Sequence, residues 1–108
     1  MDTELAGWTV DEQSLAQEVF HRAMARHVQS LIAELRLRTD ALRDADDLWQ
    51  LHDFLSIRRH EIEGRFDQRL TGLLFVFADL LRDGLVSLEE LQGLSADKRA
   101  KISAMARM

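Results

Sequence analysis

The chain contains no cysteine and no proline, and only five glycines, Gly7, Gly64, Gly72, Gly84 and Gly93, among its 108 residues. Without cysteine there is no disulfide, no thiolate nucleophile and no cysteine zinc site. A chain with no proline and few glycines favours long helices over a turn-rich β fold. Long hydrophobic runs are also missing. The nearest approach, Leu70–Leu81, is broken by Thr71 and Asp79 and is too short to span a bilayer. Met1–Gly7 carries Asp2 and Glu4, with no basic stretch and no apolar stretch, so no signal peptide is expected. These features lead to an expected cytoplasmic location. A net charge of −5 excludes nucleic-acid binding through bulk positive charge.

What is present is 46% hydrophobic and 31% charged residues, a globular balance for about one domain. A domain this small buries only roughly 60–70% of its unfolded surface, so pairing with a second copy is a natural way to bury more. One local concentration of positive charge stands out, at Arg58, Arg59, His60, Arg65 and Arg69. Such a run is either a patch for a partner or a solvated helix face.

Thr9-Val-Asp-Glu12 reads as a capping box that opens a long helix. Its apolar residues, Leu15, Val19, Phe20, Met24, Val28, Leu31, Ile32 and Leu35, recur at steps of three and four and form one stripe. Nothing stops this helix before Thr39 or Asp40, and a helix of that length is roughly 40 Å long. The aspartates of Asp40–Asp47 mark a turn and the acidic start of a second helix. The second helix is expected to end near Glu63, before Gly64. Asp67 offers an N-cap for a third helix over Gln68–Asp83, with Gly84 as its C′ residue. Ser87-Leu-Glu-Glu90 is a second capping box, predicting a short helix to about Gly93, and Ser95 caps a last helix over Ala96–Arg107.

Placed at 100° steps with Trp49 at zero, the second helix shows two faces. Leu48, Leu51, Leu55 and Ile62 fall between about 200° and 260° and form the predicted buried face. Phe54 and Arg58 lie at its edge. Trp49, His52, Asp53, Ser56 and His60 fall within about 60° of zero, with Arg59 at the boundary. A tryptophan heading a row of charged and hydrogen-bonding side chains has the composition of an interaction hot spot. The same row is also compatible with packing of Trp49 on the third helix, or with a face turned to a partner helix.

Enzyme chemistry finds little support. His60-Glu61 opens like a zinc-protease motif, but Gly64 stands where the second histidine is needed. His52 and His60 are about 12 Å apart along a helix, too far to share one metal by themselves. His52 and Asp53 are adjacent, and neighbouring helix positions do not face each other; no nucleophile elbow or phosphate-binding loop accompanies them. Phe75-Val-Phe77 lies in a strongly apolar helix and reads as core, with one ring free to be exposed because consecutive residues point 100° apart. No cofactor, metal or catalytic residue is expected.

The block Asp46–Arg69, together with Leu74–Val86, Glu89-Glu-Leu91 and Ala96–Ile102, resembles the fluorescence recovery protein family. The likeness covers nearly the whole chain and is weaker in the first helix, where Trp8, Phe20, Ala23 and Arg26 match by position. It implies an all-α fold: long antiparallel helices forming a dimer stem over 9–63, a small C-terminal helical head over 64–108, and a disordered 1–8. It implies a non-enzymatic adaptor that binds the photoactivated orange carotenoid protein at its C-terminal domain. Such an adaptor speeds the return to the orange form and ends phycobilisome quenching, and it associates with the thylakoid through the phycobilisome. The family's partner-binding residues correspond to Trp49, His52, Asp53 and Arg59, with Phe75 and Lys101 on the head. Its dimer-interface positions correspond to Ile32 and Leu48. Ile57-Arg58, Gln68 and Leu70-Thr-Gly72 depart from the family's commoner residues. The alternative is a family homologue in an organism without phycobilisomes, a homodimeric helical protein with another signalling or carotenoid-binding partner.

Overall fold

The computed structural model describes residues 5–108. Helix α1 spans Val10–Asp40, α2 spans Ala45–Arg65, α3 spans Leu73–Arg82 and α4 spans Ala96–Ala106. Short 3-10 turns lie at Leu70–Gly72 and Glu89–Leu91. The molecule is elongated, 61 × 27 × 20 Å.

The capping box predicted at the first helix is present. The Thr9 hydroxyl accepts from the Glu12 N–H at 3.1 Å, and Glu12 Oε1 accepts from the Thr9 N–H at 3.1 Å. At the other end, α1 turns at Ala41–Arg43 into α2, whose N-cap Asp44 accepts from the Asp47 N–H at 2.9 Å. The two helices run back antiparallel in one register. His27 lies beside Arg65, Glu34 beside Arg58, and Arg38 over the Phe54 ring.

The core sits at one end. Val19, Phe20 and Ala23 from α1 meet Phe66, Phe77 and Leu80, Leu91 and Leu94 from the connection, and Ile102 from α4. Phe20 and Phe66 pack edge-to-face, with ring centroids 5.4 Å apart. The first half of α1 therefore belongs to the head, and only its second half and α2 project as a stem. The expected division at residue 63 places that half-helix on the wrong side.

Four further expectations need correction. Of the predicted disordered segment 1–8, residues 1–4 lie outside the described residues. Residues 5–8 form a turn closed by Leu5–Trp8 backbone hydrogen bonds of 2.8 and 2.9 Å, and Trp8 is only 3% exposed. Helix α2 continues through Gly64 to Arg65, because Arg65 and Phe66 are anchored in the head and outweigh glycine's cost of ~1 kcal/mol. The third helix begins at Leu73, not Gln68. The Asp67 carboxylate accepts from the N–H of Arg69, two residues on, and so makes a turn where a helix cap was predicted. The Ser87–Glu90 box forms, with 3.0 and 3.3 Å bonds, but opens only the 3-10 turn. That connection lies flat on α1: a Cβ at Gly93 would sit 2.7 Å from Leu15 Cδ2.

The end of α3 is as predicted. Gly84 has φ +75°, the Leu85 N–H donates to the Leu80 carbonyl and the Gly84 N–H to that of Leu81, a Schellman closure. No described helix is long and apolar enough to cross a membrane.

Candidate functional site on the stem and head

No residue of α2 is buried. The predicted inner face is half-covered at Leu51, Leu55 and Ile62, and Leu48 is exposed. Within one chain only α1 is available to cover this face, and one helix cannot enclose another. Ile32 is half-buried on the facing part of α1.

The opposite face carries Trp49, 62% exposed, with His52, Asp53, Ser56 and His60 also exposed. Trp49 packs neither on α3 nor in the core. His52 Nδ1 lies 3.4 Å from Asp53 Oδ1, so these adjacent side chains do meet, contrary to the expectation that they would not. Both are long enough to lean around the helix surface. Ile57 also is exposed and borders the stripe at about 80°. It is an apolar contributor that reading the stripe as polar had missed.

The basic run does not form a patch. Arg58 pairs with Glu61 at 2.9 Å, Arg59 with Glu63 at 3.0 Å, Arg65 with Asp79 at 2.9 Å and also with Asp83, and Arg69 with Asp67 at 2.5 Å. The Arg59 pair is on open surface and is worth little energetically, so its guanidinium is available for exchange with another carboxylate. The Arg69 hydrogen bonds hold the Asp67 carboxyl down at about 2.

On the head, Phe75 and Phe77 divide as consecutive helix positions allow. Phe77 is fully buried and Phe75 is 68% exposed. Lys101 is exposed on α4 and pairs with Asp97 one turn away at 3.0 Å. The stem stripe and the two head residues thus lie on three separate helices, and all are open to solvent.

Stem and head are joined by charged side chains. Arg65, only 17% exposed, reaches from the end of α2 to α3, with His27 Nδ1 3.5 Å from its Nη1. Burial pushes the His27 imidazole below its usual pKa, and the charges of Arg65 and Arg58 add to this against opposing Asp83 and Glu61. Arg26 of α1 grips Glu90 through two bonds of 2.7 and 2.9 Å and holds the Leu85 carbonyl at 2.8 Å. The Arg26 hydrogen bond lowers the Glu90 carboxyl to about 2, although partial burial opposes it.

Glu12 is a functional residue of the fold that its capping role alone did not reveal. Besides Thr9, it accepts from the Ser95 N–H at 2.8 Å and from Lys98 Nζ at 3.1 Å. Its burial favours the neutral acid, but these bonds and the Lys98 charge win and the pKa falls. Among the described residues no group of three or more His, Asp or Glu converges as a metal site.

The fold and these surfaces define a class: an all-helical protein with a compact head and a protruding two-helix stem. Residues 8–106 match the family described as photoprotection regulator fluorescence recovery protein, and the chain belongs to that family. The fluorescence recovery protein of Synechocystis sp. (strain ATCC 27184 / PCC 6803 / Kazusa) is 44% identical over 108 residues, 100% of this chain and 99% of the relative. Its solved structure superposes with a TM-score of 0.88 at 46% identity, over 94% of this chain and 99% of that one. The Fremyella diplosiphon fluorescence recovery protein gives a TM-score of 0.87 at 42% identity, with the same coverage.

Proposed function

We propose that this photoprotection regulator is a homodimeric, non-enzymatic adaptor that binds the photoactivated orange carotenoid protein at its C-terminal domain. It accelerates the return to the orange form and so ends phycobilisome quenching. The observation that carries this reading is the uncovered face of α2, where Trp49, His52, Asp53 and Arg59 stand together in solvent. Trp49 supplies a flat apolar anchor, and Asp53 and Arg59 supply opposite charges. Phe75 and Lys101 provide a second contact from the head. The half-covered leucines of α2, with Leu48 and Ile32, form the seam with the second copy.

The physical requirement is differential binding. A partner that has separated two domains recloses faster only if the adaptor binds the closing transition state better than the open state. A long stem with contact groups on both stem and head reaches two surfaces of one partner. Dark relaxation of the photoactivated partner is then slowed toward the unassisted rate by Trp49→Ala, Asp53→Ala and Arg59→Ala. Unchanged acceleration by all three variants overturns the site.

A second reading keeps the scaffold and exchanges the partner for another signalling or carotenoid-binding protein. Exposed Ile57 on the border of the stripe supports it, because it offers such a partner an apolar contact beside Trp49 and the polar side chains. Whether the source genome encodes an orange carotenoid protein separates the two.

A further inference from the structure

A cleft of about 400 Å³ opens on the head between the Leu88–Gln92 segment and the first two turns of α4. Ala96, Arg99, Ala100 and Ser103 line one wall; at spacings of three, four and seven residues they share one helix face. Leu88, an exposed leucine, forms an apolar lip, and Glu89 stands on the rim.

Arg99 sets this cleft apart. Most Lys and Arg side chains of the chain lie within ion-pair distance of a carboxylate. Arg36, Arg43, Arg99 and Arg107 do not, among the described residues. Of these four, only Arg99 is half-buried; the others are exposed. Its Nε is inaccessible and has no acceptor among the described residues. Packing thus shields the Arg99 Nε from water, and no carboxylate among the described residues lies within ion-pair distance of its guanidinium.

We propose that this cleft docks a protein segment in which one carboxylate side chain stands beside an apolar one, with Arg99 reading the carboxylate. A guanidinium presents its N–H groups as a planar fork that matches a carboxylate. Because packing already encloses the Nε of Arg99, less side-chain entropy is left to lose on binding. The small side chains of Ala96, Ala100 and Ser103 let a partner backbone approach, and Leu88 receives the apolar neighbour. Glu89 repels a segment of several acids, which selects for a single carboxylate. The site is separate from Lys101, which is turned about 200° from Arg99 around α4.

The test is an NMR titration of the full ¹⁵N-labelled chain with a short capped peptide carrying one Glu next to one Leu among Ala, Ser and Gly. Saturable shifts are expected at the Arg99 Nε–H and at the backbone N–H groups of Ala96, Ala100 and Ser103. Replacing the peptide's Glu by Gln should weaken binding about tenfold, as should Arg99→Gln in a chain whose spectrum stays dispersed. Glu89→Gln should tighten it. If Arg99→Gln does not fold, Leu88→Ser and the Gln peptide carry the test, each expected to weaken binding. No saturable shift, or equal binding of the Gln peptide, overturns the proposal. Sodium acetate producing the same shifts at equal affinity also overturns it, since the cleft would then hold a bare anion and not a protein segment.

Discussion

At the scale of single residues, the chain uses a few polar side chains as multiple connectors. Glu12 lies in the first turn of α1, yet it holds the start of α4, 83 residues later in sequence, through the Ser95 N–H and Lys98. Lys98 also donates to the Gly7 carbonyl at 2.6 Å and lies 5.1 Å from the centre of the Trp8 ring. One lysine therefore ties the lead-in turn, the first helix and the last helix. Hydrogen bonds to charged groups are worth about 1.5–3 kcal/mol, and removing one partner leaves the other buried and undersatisfied. Lys98→Ala should lower the unfolding free energy by about that amount. Urea denaturation would show it as a lower midpoint at unchanged slope, and an unchanged midpoint would show that the cluster is not structurally important. Trp49, by contrast, touches no core residue, so Trp49→Ala should leave the urea midpoint almost in place while its partner binding is lost.

At the scale of elements, the structure turns on how the stem enters the head. His27, Arg65 and the carboxylates of Asp79 and Asp83 join α1, α2 and α3 at one point. The folded-state pKa of His27 is depressed, so the unfolded chain takes up a proton at this residue first as pH falls. Stability from this source is complete above the ordinary histidine value of about 6.5 and is lost as pH drops below it. His27→Gln removes that dependence. The stability difference between pH 7.5 and 5.5 should therefore be smaller in the variant than in the parent chain, measured by the same urea titration. Equal differences would show that His27 is not held neutral by its neighbours.

Element ends with local chemistry were legible in the sequence: the Thr9 box, the Gly84 closure and the Ser95 cap need only residues three to five positions apart. The errors came where distant contacts decide. Gly64 reads as a stop until Arg65 and Phe66 are seen to be anchored in the head. Asp67 reads as a cap, although its oxygens turn to Arg69. The polar stripe of α2 was visible from periodicity because it depends on helix geometry alone. The covering of its other face was not, because that depends on what else packs there. Phe75 shares a helix face with Asp79 and Arg82, four and seven residues on, and Phe77 shares one with Leu73 and Leu80, so periodicity could have separated the exposed ring from the buried one. Arg99 was invisible, because its lack of a partner is a property of the assembled head.

At the scale of the whole molecule, the head is a packed unit and the stem is not. All the fully enclosed side chains belong to the head cluster, whereas α2 buries none. The stem's half-covered leucines, with exposed Leu37 and Leu48, are a surface that a second copy would cover. Ile32→Asp places a charge in that proposed seam and leaves the head core untouched. Sedimentation velocity should show the parent chain as a dimer and Ile32→Asp as a monomer that keeps its helical circular dichroism. A parent chain that sediments as a monomer at tens of micromolar would remove the dimer from the proposal.

Acceleration of a partner's relaxation by a helical adaptor is the central claim, and absorbance tests it most directly. Purified protein is mixed at equal amounts with photoactivated orange carotenoid protein, and the return from red to orange is followed in the dark. The proposed function predicts recovery several-fold faster than in the partner alone. Identical recovery curves with and without the protein would contradict it.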